Sequence, residues 1–206
     1  MIATTLSTVR SRQIPGRRHL FRRLLWALPF LAAAATPATA ELRVSDLSVF
    51  LNDHDLTVEV VLLDAIPPAF HESLQSGIPA HVRLKVELLQ YRRFWRGGDR
   101  RIDRRRIERQ LTYNLVAKEY KVAFLAGEKR EPYVTKDVRE AQRVASDLRG
   151  LKLAPASALD PKELYYVRVR ADVSLAGVNS WLSRMTGEAE ETPWVNSSLL
   201  TVTRRQ

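Results

Sequence analysis

The chain has 206 residues, 33 basic and 23 acidic, a formal net charge of +10, and no cysteine. The absence of cysteine excludes a disulfide framework, a thiolate zinc site and a cysteine nucleophile. The charge suggests a polyanion partner, but its distribution weakens that reading, because the first 40 residues hold six arginines and no acid.

Those 40 residues are read as a cleavable secretory signal peptide. Arg10, Arg12, Arg17, Arg18, Arg22 and Arg23 make a basic start, Leu24 to Ala35 is an apolar run of 12, and Ala38-Thr39-Ala40 is a small-residue cleavage site. The run is shorter than the roughly 20 residues that span a bilayer. Cleavage between Ala40 and Glu41 leaves one domain, 41–206, expected in the periplasm. Gly16-Arg17-Arg18-His19-Leu20-Phe21 also resembles a twin-arginine export signal, with the general secretory route the expected one. Taking 6 from 33 leaves 27 basic against 23 acidic residues, or +4, so nucleic acid is not an expected partner.

Alternation of apolar and polar residues dominates the rest. Leu56, Val58, Val60 and Leu62 alternate near the start, and Asn52-Asp53-His54-Asp55 before them predicts a hairpin. Pro67-Pro68 opens a short helix with Phe70 and Leu74 on one face and Gly77 closing it. His81 to Leu88 alternates strictly, which predicts a strand with one wet face. Gly97-Gly98-Asp99 breaks it from the next strand, in which Ile107, Leu111, Tyr113 and Leu115 alternate with polar residues. Tyr120, Val122 and Phe124 form a further strand before Gly127.

A second helix follows. Val138, Ala141, Val144, Ala145 and Leu148 fall on one stripe, Thr135 is the expected cap, Asp137 suits the helix dipole, and Gly150 ends it. Tyr165 to Val173 alternates again, 183–193 is expected as a mobile acidic loop, and a last strand runs from about 194 to 203. One-sided alternation without regular β-α repetition predicts a mainly antiparallel β fold. The expected form is a β-sandwich or curved sheet with one or two packed helices.

The chemistry-bearing candidates are few. Arg92, Arg93, Arg96, Arg100, Arg101, Arg104, Arg105, Arg106 and Arg109 lie within 18 residues, beside Phe94 and Trp95. The functional reading is an exposed basic hairpin that binds anionic lipid headgroups or envelope polymers through guanidinium–phosphate pairs. The alternative is a solvated hairpin balanced by Asp99, Asp103 and Glu108, in a chain with 26 Arg and 7 Lys. His54, His71 and His81 have no metal-binding spacing, and Glu190-Glu191 needs no catalytic role. No nucleophile elbow, phosphate loop or His-Glu-x-x-His motif is present. Neither a cofactor nor a catalytic residue is assigned. Tyr113, Tyr120, Tyr165, Trp181 and Trp194 are expected mainly in the core, with a ligand groove as the alternative.

The stretch Leu111-Thr112-Tyr113-Asn114-Leu115-Val116-Ala117-Lys118-Glu119-Tyr120 resembles the central block of an uncharacterised family of exported proteobacterial proteins, the domain of unknown function DUF4390. Gly77-Ile78-Pro79, Tyr91 to Trp95, Tyr165 to Arg170 and Trp194 to Ser198 fit the same family. The resemblance implies export and no known catalytic residues, and a conceivable link to a sensor histidine kinase. The expected function is a non-enzymatic periplasmic binding or interaction module. Peripheral attachment to an anionic surface and an unrecognised hydrolase are the alternatives.

Overall fold

The computed structural model describes residues 41–52, 54–92, 98–176 and 189–202. The signal peptide and its cleavage residue Ala40 therefore lie outside the described residues, as do Arg93, Phe94, Trp95, Arg96 and Trp181. Glu41, on the other side of the expected cut, is exposed.

Two antiparallel sheets face each other across one core. The smaller has three strands, β1 (Arg43–Asn52), β2 (Asp55–Leu63) and β7 (Leu148–Pro155), in the order β1-β2-β7. The larger contains β3 (Ala80–Gln90), β4 (Arg100–Asn114), β5 (Glu119–Ala126), β6 (Tyr133–Thr135), β8 (Tyr165–Leu175), β9 (Ala189–Glu191) and β10 (Val195–Asn196). Its order is β10-β8-β3-β4-β5-β6, and β9 also pairs with β8. Two helices, α1 (Pro68–Gln75) and α2 (Val138–Ser146), complete the fold. The mainly antiparallel β-sandwich is thus the observed architecture.

Period-2 patterning explains the sandwich. Leu56, Val58, Val60 and Leu62 of β2 are buried, as are Ala80, Val82, Leu84, Val86 and Leu88 of β3 and Tyr165, Val167, Val169, Ala171 and Val173 of β8. All belong to a single cluster, because the inner faces of two sheets interdigitate. Phe70 and Leu74, four apart on α1, and Ala141 and Ala145, four apart on α2, join the same cluster. Pro68 sits in the first turn of α1, and Gly77 leaves it at φ +89°, with its N–H on Leu74 O and that of Ile78 on Ser73 O.

Four expectations are corrected. The cap of α2 is Asp137, whose Oδ1 accepts the Arg139 N–H at 2.8 Å. Thr135 instead lies in β6, and its hydroxyl accepts the Asp137 N–H and donates to Glu140. The helix ends at Ser146 rather than at Gly150, which lies in β7 at φ +68°. That strand escaped notice because register shifts at Leu56/Thr57 and Val58/Val60 of its partner break its alternation. Of the expected acidic loop, 183–188 lie outside the described residues, and Ala189–Glu191 is a short strand on β8. The final strand shrinks to Val195–Asn196 and a bridge between Tyr165 and Leu200.

The reason for that shrinkage is local. Between and beyond the two short strands, side-chain hydroxyls replace backbone carbonyls along the edge of β8. Thr192 Oγ1 accepts the Ala171 N–H and Ser197 Oγ accepts the Val167 N–H, each at 3.0 Å. The edge is covered without a continuous strand.

Candidate functional site

Strand alternation divides the arginine-rich segment between two faces. Arg104 pairs with Glu87 and Arg106 with Lys85, both on the outer face of β3, while Arg105 pairs with the core residue Val86. Arg105 accordingly turns toward the smaller sheet, where its Nη2 donates to Leu153 O at 3.2 Å and its Nε to Asp103 at 2.8 Å. A register shift at Leu88/Leu89 returns Arg101 to the outer face, where its Nη1 lies 3.4 Å from Glu87. Arg100 is exposed, and Arg92 is half-buried with its backbone N–H on Asp99 Oδ1.

Arg109 is a correction. Its side chain is 0 % exposed, so it belongs to no anion-binding surface. Its Nε and Nη2 donate to Glu128 at 2.6 and 2.9 Å. Its Nη1 donates to the carbonyls of Val144, Ala145 and Asp147. Those carbonyls are the unpaired end of α2, so the guanidinium caps a helix C-terminus from across the core.

The outer face of the larger sheet holds a lattice of charges. Glu87, only 3 % exposed, receives Arg168 at 2.6 Å, Arg101 at 3.4 Å and Arg104 at 3.6 Å. Arg83 spans its two neighbouring strands, reaching Glu108 of β4 at 3.1 Å and Asp172 of β8 at 3.0 Å. Lys85 lies 3.6 Å from Asp172, and Arg170 meets Glu191. Arg168 also lies over the Trp194 ring at 4.5 Å, a cation–π contact that takes this aromatic out of the core. Arg106 has no carboxylate within ion-pair distance among the described residues. Within this lattice on β3, β4, β8 and β9, the cations Arg83, Lys85, Arg101, Arg104, Arg106, Arg168 and Arg170 outnumber the paired carboxylates Glu87, Glu108, Asp172 and Glu191, seven against four. A cleft of about 190 Å³ opens among them, lined by Arg83, Lys85 and Arg106 and by Asp172, Glu190 and Glu191.

The same geometry sets the protonation of the lattice. Burial works to lower the Arg83 pKa, but Asp172 and Glu108 outweigh it and hold the guanidinium above its ordinary value. Burial likewise pushes Glu108 up, and the Arg83 hydrogen bond and charge pull it below the usual range. Beside the β3–β4 hairpin, the Tyr166 hydroxyl donates to Asp99 at 2.7 Å. Tyr166 is pushed up to about 12 by burial and by this bond, and Asp99 is drawn down by it.

The histidines do not converge. His54 and His71 are exposed, the latter bonded to Gln142, and His81 lies between Gln110 and Glu108. Among the described residues no group of three His, Asp or Glu is placed to hold a metal ion. Of the aromatics, Tyr120 and Tyr165 are in the core, and Tyr113 packs against Tyr120 at 4.7 Å between ring centres. What this face offers chemically is a set of fixed guanidinium donors suited to carboxylate or phosphate.

Sequence reasoning missed four of the seven cations on this face. Arg83, Lys85, Arg168 and Arg170 stand on the wet positions of their strands, where Arg-x-Lys-x-Glu and Arg-x-Arg were visible signals. Pairing brings Arg170 beside Lys85 and Arg168 beside Glu87.

The family model of Domain of unknown function (DUF4390) matches residues 39–191, which span β1 to β9. The chain belongs to this family. The DUF4390 match therefore covers the whole cationic lattice except Trp194, which lies beyond it. No curated protein and no solved structure matches the chain.

Proposed function

We propose that this DUF4390 domain is a periplasmic binding module without catalytic activity, which meets an acidic surface of an envelope protein through the outer face of its larger sheet. The observation that carries the reading is Glu87, buried beneath Arg101, Arg104 and Arg168. Burying a carboxylate is costly unless its neighbours supply charge and hydrogen bonds. In return the three guanidiniums are held in place before any partner arrives, which lowers the ordering cost of binding. Arg101 and Arg104 are each about half exposed, with side-chain accessibilities of 54 % and 52 %, so they retain free donors. A sensor histidine kinase is the partner that the family resemblance suggests. Pull-down from an envelope extract is expected to recover one partner with the wild type and to lose it with Arg101→Gln/Arg104→Gln. A protein that stays a lone monomer under these conditions sinks the reading.

A second reading has its own observation. Arg100, Arg101, Arg104, Arg105 and Arg106 are all exposed, distributed over both faces of the part of β4 that β5 does not pair. Such a strip suits an anionic membrane or envelope polymer. Flotation with anionic vesicles should then be salt-sensitive and vanish in Arg104→Gln/Arg105→Gln/Arg106→Gln; equal flotation of the two proteins rules it out.

A further inference from the structure

We propose a second anion site, on the side of the larger sheet that carries α2, which binds the phosphate group of a small amphiphile. A cleft of about 350 Å³ at the C-terminal end of α2 is lined by Arg130, Arg143, Val144, Asp147 and Arg149. A helix C-terminus ordinarily repels anions, because its free carbonyls carry partial negative charge. Here that obstacle is removed from behind. Arg109 engages the carbonyls of Val144, Ala145 and Asp147 and, at the same time, both oxygens of Glu128.

The guanidiniums in front are left undersatisfied. Arg130 touches Glu128 only at 3.9 Å and lies over the Phe124 ring at 4.7 Å. Among the described residues Arg149 forms one ion pair, with Asp147 at 3.4 Å. Arg143 has no carboxylate within ion-pair distance among the described residues; Glu140, which its charge also reaches, is bonded to Tyr133 and Thr135. With Glu128 committed to Arg109, three cations face one carboxylate, Asp147. Each guanidinium presents five N–H donors in a plane, the geometry that phosphate oxygens accept in pairs.

The neighbouring cleft supplies the rest of the ligand's chemistry. It is larger, about 440 Å³, shares Arg143 and Asp147 as walls, and is lined on its other side by Leu63, Ala65, Ile66 and Pro68. Asp64 and His71 border it as well. An open, largely apolar cleft joined to a cationic one through common residues fits a phosphomonoester head with a short apolar tail. The sheet-face partner of the preceding section plays no part in this site.

The test uses the full chain and calorimetric titration at low salt with inorganic phosphate, monomeric hexyl phosphate and hexanol. Hexyl phosphate is expected to saturate at one site, on the order of tenfold tighter than inorganic phosphate, since the tail adds buried apolar area. Arg130→Gln/Arg143→Gln/Arg149→Gln is expected to weaken both phosphates at least about tenfold. The charge-matched control Lys118→Gln/Lys136→Gln/Arg139→Gln should bind as the wild type does. Arg149→Gln alone, at a position whose side chain is 72 % exposed, gives a milder loss without endangering the fold. The proposal is overturned if hexyl phosphate fails to saturate, if the arginine variants bind like the wild type, if the control loses binding equally, or if the tail adds nothing. Vesicles of phosphatidylcholine with phosphatidic acid separate the sources. Retention by vesicles that depends on the three arginines identifies a lipid headgroup, and binding of the monomer alone identifies a free amphiphile.

Discussion

Arg109 occupies an inward position of β4, between Ile107 and Leu111, where alternation calls for an apolar side chain. Its guanidinium makes five hydrogen bonds, to one carboxylate and three carbonyls, which is what allows a charge to stand there. Arg109→Met leaves Glu128 with only the 3.9 Å contact of Arg130 and the end of α2 without its cap, and urea unfolding should show a loss of about 3–5 kcal/mol. Adding Glu128→Gln should recover part of that loss, since the second change removes the uncompensated charge. Tyr166 offers a test by pH. Its pKa is raised from 10.0 to about 12, so its neutral form is favoured in the folded state. The corresponding stability is complete below pH 10 and is lost as pH rises toward about 12. Tyrosinate absorbance should show Tyr166 among the late-titrating tyrosines, with Tyr120 and Tyr133 also raised, and Asp99→Asn should bring Tyr166 back toward 10.0. Asp99 and Glu108 act in the opposite sense. Their folded pKa values are depressed, so their contribution is present above the ordinary carboxylate range and disappears as pH falls below it.

β4 is longer than its neighbour on one side. It pairs with β3 from Arg100 to Leu111, but β5 covers it only from Glu108 onward. The arginines 100–106 therefore coincide with an uncovered strand edge, and charged side chains are a known means of keeping such an edge from pairing with another chain. Edge protection and anion binding are compatible roles for the same residues. The turn after β5 is a sharper constraint. Gly127 has φ +83°, and a Cβ there would stand 2.4 Å from Arg106 O. Gly98 has φ +77° with nothing within 4 Å. Gly98→Ala should cost about 1–2 kcal/mol, the backbone penalty alone. Gly127→Ala should cost at least about 3 kcal/mol, because the clash is with backbone and adds to that penalty. Thermal melts of the two variants measure the difference. Glu140 ties α2 to β6 through Tyr133 at 2.6 Å and Thr135 at 2.7 Å.

For the molecule as a whole, the described residues of both sheets and both helices share one core that begins at Leu42. A cut between Ala40 and Glu41 spares that core. Mass spectrometry of protein recovered from the periplasm is expected to find Glu41 at the N-terminus; an intact N-terminus would contradict cleavage at this site. The cationic outer face has a physical cost as well. Like charges on neighbouring strands repel unless carboxylates are interleaved, and Glu87, Glu108 and Asp172 occupy those places. Glu87→Gln should lower stability and make it more salt-dependent, because Arg101, Arg104 and Arg168 then face one another without a counter-charge.

Period-2 patterning determined the antiparallel β class and the inward faces of β2, β3 and β8, and helical spacing, with Pro and Gly end signals at α1, determined the two helices. Side-chain direction in a strand follows from parity and needs no partner. The family resemblance was also legible, in residues 111–120 and their surroundings. Parity failed where bulges interrupt it, as opposite β7, and where the strands are only two or three residues long, as in β6, β9 and β10. The arginine-rich segment shows the division most clearly. Its density could be read from the chain, but its separation into an outer set, an inner Arg105 and a buried Arg109 follows from register against β3. Register is set by hydrogen bonding between strands 20 or more residues apart, as in the pairing of Arg83 with Glu108, a separation of 25, and with Asp172, a separation of 89. Only the folded sheet brings Arg168 and Arg104 to the same carboxylate.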